Sequence, residues 1–453
     1  GVPTRGSRRP FLNLWRPIRS KLLVVKFFVS KIKKIRHCDL TTALVKKISN
    51  QNKKTAVAQS DGECQSIVMP SMRQVNEHTR KPRLASFWYH ARQRSEDEIK
   101  LSRPPMSIRT VVVCEAQVPF VTGGAESHVR GLVEQLRARG YSTELISIPF
   151  KWTPKGELLS HAAAWRLIDL SESNGKPIDL AIATKFPTYF VRHPNKVAWL
   201  IHQYRAAYEL CGTPFSDFQH TESDIGLRQS IVDLDTRMLS ECQRLFANAN
   251  NTANRLKRFN GLQAETLYHP PLLADRLHPG NQDNYVLSVG RLESVKRIDL
   301  LVAAMKFVDQ PIKLVVVGDG SQRESLKAAA AETGVSDRIE FLGQVDNDKL
   351  VKLYSDALAV AYTPYDEDYG YVTLEAFLAQ KPVVTASDSG GTLEFVEDGV
   401  NGKICEPTGE AIGSAINAVA ANRNLASTLG ANGFERARCI TWDGVIEKLV
   451  GYP

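Results

Sequence analysis

The strongest constraint on the fold is a regular alternation of short apolar runs with longer amphipathic segments, which starts at Ile108. Apolar runs such as Ile108–Cys114 and Lys196–His202 predict buried strands, and amphipathic segments such as Ser127–Arg139 predict helices. Such alternation produces a parallel sheet with helices on both faces, because each crossover between parallel strands must pass over the sheet. The sequence therefore predicts an α/β fold.

A stretch rich in Pro, Gly, Asn and Asp interrupts this alternation from His269 to Asn284 and is typical of a linker. A second series of strand and helix units begins at Tyr285–Val289 and continues through Lys313–Val317. Two such series predict two doubly wound, Rossmann-like domains that face each other across a cleft. Further helices are predicted at Glu222–Arg244, Val295–Phe307 and Val372–Gln380. We place the first domain at residues 106–275, the second at 276–437, and a C-terminal helix that packs back towards the first domain at 438–453.

The first 105 residues differ in composition from the rest of the chain. Residues 1–100 contain 22 Lys and Arg against 7 Asp and Glu, although the net charge of the whole chain is only +9. We interpret residues 1–105 as a basic, disordered extension, because charged segments without an apolar period are usually solvated. In the alternative interpretation, Lys21–Ile32 forms a basic amphipathic helix that lies on anionic lipid and gives peripheral membrane contact.

Cysteine usage and apolar run length indicate the cellular compartment. The seven cysteines are scattered and none forms a C-x-x-C pair, which argues against a disulfide framework or a zinc site. Apolar runs such as Leu22–Val29 are too short to span a bilayer. We expect a cytoplasmic protein, with the inner face of the membrane as a possible location for the basic arm. Aromatic and basic residues are not interleaved in this sequence, so we predict no nucleic-acid binding.

Two glutamates, Glu367 and Glu375, are separated by seven residues. The apolar segment Leu358–Tyr362 predicts a buried strand, so Glu367 is expected in the loop at its carboxyl end and Glu375 in the first turn of the next helix. That edge of an α/β sheet is where ligands bind, and a helix N-terminus there offers N–H groups to a phosphate. Because carboxylates accept hydrogen bonds from hydroxyl groups, the arrangement suits a sugar joined to a phosphate.

Cations follow the first strand of the second series. Gly290-Arg291-Leu292 comes directly after that strand, and Lys296 opens the next predicted helix. We expect Arg291 and Lys296 to bind a diphosphate and to stabilise charge on a phosphate leaving group. Ordinary surface charges are the alternative, which is disfavoured because cations near a helix N-terminus are unfavourable unless an anion is present.

Three further features carry weaker signals. Gly123-Gly124 follows a predicted strand and would allow close approach of a ligand, but a plain turn is about as well supported. Gly318-Asp319-Gly320 favours a tight turn, since Arg323 stands where a dinucleotide-binding loop needs a third glycine. His202 ends a strand at the cleft, where it could contact a sugar hydroxyl or share in proton transfer. A partly buried histidine with satisfied hydrogen bonds is the alternative for that position.

The remaining histidines and paired aspartates are assigned no ligand. We expect His269 to be structural at the hinge and His128 to be an ordinary surface or packing residue. Paired aspartates could chelate a divalent cation beside a nucleotide. Such pairs occur at Asp233/Asp235, Asp346/Asp348 and Asp366/Asp368. Only the last pair lies at the cleft and three occurrences are consistent with chance, so we predict no metal.

Taken together, these motifs make the chain similar to glycosyltransferase family 4, the nucleotide-sugar-dependent transferases of GT-B fold. The resemblance covers about residues 107–450. The matching segments stand in the family's order. They are Gly123–Glu126, Gly290–Leu292 with Lys296, Glu367–Glu375 and Ser389–Glu394.

The resemblance implies retaining transfer from a nucleoside-diphosphate sugar to a hydroxyl of a glycan or lipid-linked acceptor, without a metal or another cofactor. Glu375 would hold ribose hydroxyls, Glu367 the donor sugar, and His202 would lie near that sugar. The implied catalytic residues are Glu367, Arg291, Lys296 and His202. The implied donor-binding residues are Gly123, Gly124, Gly290, Arg291, Lys296, Gly370 and Glu375. Polysaccharide or lipid-linked glycan biosynthesis in a bacterial cell is the implied setting.

Alternatives to transferase activity remain at this point. The sequence departs from the family pattern at Asp368, where Gly or Ser is common, and this could alter the sugar preference. A sugar-nucleotide epimerase or a phosphorylase would use the same fold, although a phosphorylase needs a lysine-bound cofactor with no clear site here. An inactive membrane-associated binding protein is less favoured, because the cationic and carboxylate sets are both intact.

Overall fold

The computed structural model describes residues 108–121 and 123–451, which contain two six-stranded parallel sheets. The predicted α/β fold with two Rossmann-like domains is therefore confirmed. The predicted extension at 1–105, with its amphipathic segment Lys21–Ile32, lies outside the described residues. No helix among the residues described is long and apolar enough to cross a membrane.

The first domain is built on a parallel sheet whose strands are covered by helices on both faces. Its strands are β1 (Thr110–Gln117), β2 (Ser142–Pro149), β5 (Leu180–Lys185), β6 (Lys196–His202), β7 (Arg244–Ala247) and β8 (Glu265–Thr266), and β3 (Glu172–Ser173) and β4 (Lys176–Pro177) form a separate antiparallel ribbon. The sheet order is β2-β1-β5-β6-β7-β8. The helices are α1 (Gly124–Ala138), α2 (Leu158–Arg166), α3 (Glu222–Ser240) and α4 (Asn250–Asn260). Every residue of β5 is buried, as expected for a central parallel strand.

The second domain repeats this plan. Its strands are β9 (Tyr285–Val289), β10 (Lys313–Val317), β11 (Ile339–Gly343), β12 (Ala359–Ala361), β13 (Val383–Ala386) and β14 (Gly402–Cys405), in the order β11-β10-β9-β12-β13-β14. The helices are α5 (Ile298–Ala304), α6 (Arg323–Glu332), α7 (Asn347–Asp356), α8 (Tyr371–Leu378), α9 (Gly409–Ala420) and α10 (Arg423–Ala437). The order reverses between β9 and β12, so the loops after these two strands open into one crevice.

The helix predicted at Val295–Phe307 is shorter than expected, and Lys296 does not open it. The structure begins this helix at Ile298, because Arg297 adopts a left-handed conformation with φ 50°. Its guanidinium donates to Asp388 Oδ2 at 2.8 Å and to the carbonyl oxygen of Thr363 at 2.9 Å. Those bonds hold Arg297 against the loop after β12, so Lys296 lies in a single 3₁₀ turn before the helix.

Other predicted elements differ at their ends or were missed. The helix predicted at Glu222–Arg244 ends at Ser240, because the chain turns there to enter β7, where Gln243 N donates to Lys196 O at 2.7 Å. No element was predicted between β2 and β5, where the structure has α2 and the β3–β4 ribbon. Both are short.

The last helix, α11 (Trp442–Val450), returns to the first domain although it follows the second. Its apolar face, including Val445 and Leu449, joins the core formed by β1, β6 and α1. The Trp442 ring lies edge-on to Trp199 of β6 at 6.1 Å between centroids. The first domain is therefore completed by the C-terminal end of the chain.

Candidate active site

The crevice between β9 and β12 contains a lysine and a carboxylate in direct contact. Lys296 Nζ donates to Glu367 Oε2, and it lies 3.3 Å from the hydroxyl of Tyr362, the residue after β12. Burial raises the pKa of Glu367, but the nearby charges of Lys296 and Arg205 together bring the net pKa below the ordinary value. Glu367 is therefore an ionised carboxylate held at the carboxyl end of the sheet.

The second carboxylate, Glu375, is in a different electrostatic state. It lies in the second turn of α8 rather than in the first, because that helix begins at Tyr371. Its Oε2 accepts a hydrogen bond of 2.7 Å from the hydroxyl of Tyr354. Burial raises the pKa of Glu375 to about 7, and the Tyr354 bond opposes this shift only in part. Glu375 therefore changes charge near neutral pH.

Backbone geometry in the second domain fixes the loop that carries Glu367. Asp366 has φ 43°, a left-handed conformation that is costly for a residue other than glycine. Gly390 and Gly391 pack against this loop so closely that a Cβ on Gly391 would lie 2.2 Å from the carbonyl oxygen of Asp368. The N–H of Gly391 donates to Glu367 O at 2.7 Å. Glycine at these positions therefore lets two loop backbones meet.

Glycine is also required where the carboxylate loop turns into α8. Gly370 has φ 80°, and a Cβ there would lie 2.8 Å from Thr392 Oγ1. Gly318 and Gly320 pack against the backbone of Gly290 and Leu292, and the turn before the next helix lies at Ser321-Gln322. Gly290 itself follows β9, and its N–H donates to Val317 O at 3.0 Å.

The glycine loop of the first domain faces these residues. A Cβ built on Gly123 would lie 3.7 Å from Arg291 Nε, and one built on Gly124 would lie 3.0 Å from the Tyr371 ring. Arg291 is exposed, and its side chain makes no hydrogen bond or ion pair within the part of the chain that is described. The structure thus places an unpaired guanidinium beside the glycine loop, where an anion could bind.

His202 ends β6 at the same crevice. Its Nδ1 lies 2.7 Å from Gln203 O, and since a carbonyl oxygen can only accept, Nδ1 carries the proton. Burial lowers the pKa of His202, although the nearby Asp368 carboxylate opposes this shift. His202 is therefore neutral around pH 7, with Nε2 free to accept a proton or a hydrogen bond.

An ionic network that the sequence analysis did not predict joins the domains beside Glu367. Arg255 of α4 donates from Nη1 to Asp368 Oδ1 at 2.5 Å, and its Nε lies 2.9 Å from Glu209 Oε2. Arg205 lies between the same two carboxylates, with its Nε 3.6 Å from Asp368 Oδ1. Burial raises the pKa of Asp368, but Arg205 and Arg255 reverse this and bring the pKa below its ordinary value. Asp368, which departs from the family pattern, is therefore an interdomain ion-pair partner.

Helix α4 makes a second set of contacts with the second domain. The N–H groups of Asn250 and Asn251 donate to the two carboxylate oxygens of Glu394, at 2.8 and 2.6 Å. The Asn251 side chain donates to Asp366 Oδ1 at 2.6 Å and to Glu367 O at 2.8 Å. A carboxylate from one domain thus caps a helix of the other.

His128 and His269, which were expected to be surface, packing or structural residues, lie in contact with each other where α1 meets the hinge. His128 is buried rather than on the surface, and its Nδ1 lies 2.8 Å from His269 Nε2. The Tyr371 hydroxyl lies 3.0 Å from the same nitrogen. Burial lowers the pKa of His269 to about 3, so both rings are uncharged in a contact between α1, the hinge and α8.

The aspartate pairs are all occupied by other partners. Asp366 and Asp368 bind Asn251 and Arg255, as described above. Asp235 accepts from the Tyr208 hydroxyl at 2.8 Å, and Asp348 is paired with Arg276. The sequence signal that could have found the interdomain network is the spacing of Asn251 and Arg255, which places both on one face of α4.

Comparison with known proteins agrees with this architecture. Residues 274–436 match the family model described as glycosyl transferases group 1. The chain is 27% identical over 322 residues to the uncharacterized glycosyltransferase MJ1607 of Methanocaldococcus jannaschii. This match covers 63% of this chain and 81% of that protein. It is 32% identical over 243 residues to D-inositol 3-phosphate glycosyltransferase of Geodermatophilus obscurus, over 48% of this chain. The chain matches 53%, about half, of that relative's length.

Solved structures of GT-B fold resemble the described chain in both domains. Sucrose-phosphate synthase from Thermosynechococcus elongatus superposes with a TM-score of 0.63 at 20% identity, over 75% of this chain and 97% of that one. Anabaena HepE in complex with UDP and glucose superposes with a TM-score of 0.56 at 16% identity, over 76% of this chain and 100% of that one. The structural matches show a GT-B fold, and the sequence matches support glycosyl transfer.

Proposed function

We propose that the protein is a retaining glycosyltransferase that moves a hexose-type sugar from a nucleoside-diphosphate sugar to a hydroxyl of a glycan or lipid-linked acceptor. The observation that carries this proposal is the contact of Lys296 with Glu367 at the crevice between β9 and β12. Glu375 follows in α8, directly after the loop that carries Glu367. The glycine loop of the first domain lies beside Arg291. Cations for a diphosphate therefore stand next to carboxylates for hydroxyl groups, as a nucleotide sugar requires.

Donor binding would exchange the partners of Lys296. Its ammonium group now bonds Glu367, and a diphosphate with two charges would compete for that ammonium together with Arg291. Glu367 would then be released to accept hydrogen bonds from the sugar, while Glu375 binds the ribose. The positive charge stays in place as negative charge builds on the leaving phosphate, so it stabilises the transition state.

The proposed chemical step occurs on one face of the sugar. The bond from the anomeric carbon to the leaving phosphate oxygen breaks, and a bond to the acceptor oxygen forms on the same side. The acceptor proton passes to an oxygen of the departing diphosphate. His202 would lie near the sugar, where neutral Nε2 could accept a hydrogen bond from a hydroxyl. The positive charge comes from Arg291 and Lys296, and no metal is part of the proposal.

The donor can be identified by thermal stabilisation with a panel of UDP-, GDP- and ADP-sugars, since a ligand that binds the folded state raises its unfolding temperature. HepE was solved with UDP and glucose, so UDP-glucose is the first donor to test. The stabilising donor is then incubated with glycan and lipid-linked acceptors, and the anomeric configuration of the product is read by NMR. Stabilisation by no nucleotide sugar, or a product of inverted configuration, would contradict the proposal.

The same assay separates the alternatives. An epimerase would change the sugar of the donor without an acceptor, and a phosphorylase would release sugar phosphate in the presence of inorganic phosphate. An inactive binding protein would bind a donor and produce neither product.

We further propose that the reaction belongs to polysaccharide or lipid-linked glycan biosynthesis in the cytoplasm of a bacterial cell. Peripheral membrane contact through the basic arm is the related hypothesis.

A further inference from the structure

The loop that carries Glu367 is held in a strained shape by groups of the other domain. Asp366, the residue before Glu367, is left-handed at φ 43° and is not a glycine. Such a conformation is unfavourable for a residue other than glycine and persists only where the surroundings enforce it. Bonds from the first domain reach both the side chain and the backbone of this residue.

Two first-domain side chains make those bonds. Asn251 Nδ2 lies 2.6 Å from Asp366 Oδ1, and Arg205 Nη2 lies 2.5 Å from Asp366 O. Asn251 also reaches the carbonyl oxygen of Glu367 at 2.8 Å. These bonds add to the backbone hydrogen bonds that hold the loop within the second domain. Contact between the domains therefore supports the turn at Asp366, directly before Glu367.

We propose that Asn251 is a positioning residue, which couples closure of the cleft to the orientation of Glu367. When the domains are in contact, Asn251 bonds the strained turn and Glu367 is aimed at the crevice. When they separate, the turn loses this support and Glu367 is held less firmly, by second-domain contacts alone. A sugar bound between the domains is thus met by an aligned carboxylate only in the closed state.

The test is Asn251→Ala in the full chain, with Asn250→Ala as the matched control. The Asn250 side chain bonds the Tyr268 hydroxyl at 2.7 Å and the Thr266 hydroxyl at 2.6 Å, and neither lies in the carboxylate loop. Asn251→Ala should lower kcat on the order of tenfold with little change in the donor KM, because a hydrogen bond that aligns the reacting groups is lost. Asn250→Ala should leave kcat near that of the unmodified protein.

A second variant separates positioning from a general loss of structure. Glycine adopts the left-handed conformation without strain, so Asp366→Gly removes the need for support from Asn251. In that background, Asn251→Ala should lower kcat by no more than about twofold. A loss as large as in the unmodified background would show that Asn251 acts in some other way, and the proposal would fail.

Amide hydrogen exchange gives a readout that does not depend on catalysis. The N–H groups of Asp366 and Glu367 donate to Asp388 O and Ser389 O, so their exchange reports opening of the loop. Asn251→Ala should speed exchange at 366–367 and Asn250→Ala should not; equal exchange in the two variants would overturn the proposal. The kinetic part of the test rests on the proposed function. If the unmodified protein transfers no sugar, that function fails and exchange alone decides the positioning role.

Discussion

Lys296 hydrogen-bonds Glu367, which lies 71 residues further along the chain, across the crevice between β9 and β12. The side chain of Lys296 is 16% exposed and that of Glu367 is 14% exposed, so solvent screens the pair only weakly. The lysine, together with Arg205, opposes the effect of burial and brings the pKa of Glu367 below its ordinary value. The charge state of Glu367 therefore depends on Lys296.

Lys296→Ala should reduce turnover on the order of 10²–10³-fold if Lys296 stabilises the leaving diphosphate. Without the ammonium group, only Arg205 still opposes the effect of burial on Glu367, so the pKa of this carboxyl should rise. Steady-state kinetics with a fixed donor concentration above KM measures the effect on kcat. Lys306→Ala is a suitable control, since Lys306 is an exposed lysine of the same domain, outside the crevice. Full activity of the Lys296 variant would exclude this role.

Glu375 should make stability and donor binding depend on pH. Its pKa is about 7 in the folded protein against an ordinary value of 4.5, so between these values the folded state binds more protons than the unfolded state. Stability from this group is therefore complete below pH 4.5 and is lost as pH rises through about 7. Donor binding should show the opposite trend, because an ionised Glu375 is the better acceptor for ribose hydroxyls.

Glu375→Gln should reduce the pH dependence of stability and remove the pH dependence of donor binding. Thermal unfolding and donor titration between pH 5 and 8 would be compared for the two proteins. Asp235 is a useful control, because burial raises its pKa to about 7 as well and it contributes to stability with the same sign. Asp235→Asn should change the pH dependence of stability but leave the pH dependence of donor binding intact. Identical donor-binding profiles in the Glu375 variant and the unmodified protein would contradict this assignment.

The sequence predicts most of the fold because its signals are local. Buried parallel strands are short apolar runs, and Lys196–His202, Tyr285–Val289 and Lys313–Val317 have the predicted bounds. Errors arise where a distant contact overrides the local pattern. Arg297 lies in a segment with helical composition, yet its bonds to Thr363 and Asp388 hold it left-handed. The helix therefore begins only after Arg297. Nothing near Arg297 in the sequence indicates those partners.

The candidate site is predictable only where it follows strand ends. Glu367 and Arg291 lie in the loops that follow two neighbouring strands, so their presence at one sheet edge follows from topology. The bond between Arg255 and Asp368 does not, because the residues are 113 apart and belong to different domains. In the sequence, Asp368 is only a departure from the family pattern, whereas in the structure it is the ion-pair partner of two arginines.

Gly391→Ala should destabilise the carboxylate loop and lower activity. A Cβ at this position would lie 2.2 Å from Asp368 O, which is backbone and cannot move without displacing Glu367. Gly444→Ala is the contrasting control, since its Cβ would meet no atom within 4 Å in helix α11. That control should gain about 0.5–1 kcal/mol from helix propensity. Thermal unfolding of both variants, together with kcat, would test the expectation, and an unchanged Gly391 variant would contradict it.

The Arg255–Asp368 pair should show strong coupling between its two members. The Arg255 side chain is only 3% exposed, so Asp368→Asn or Arg255→Gln alone leaves a charge without its main partner, at a cost of about 3–5 kcal/mol. The double variant should cost less than the two single variants together, with a coupling of about 0.5–3 kcal/mol. Arg205 and Glu209 remain as secondary partners and bring the value towards the lower end. Thermal unfolding of the four proteins at low and high salt measures the coupling, and strict additivity would show that the two domains are not held by this pair.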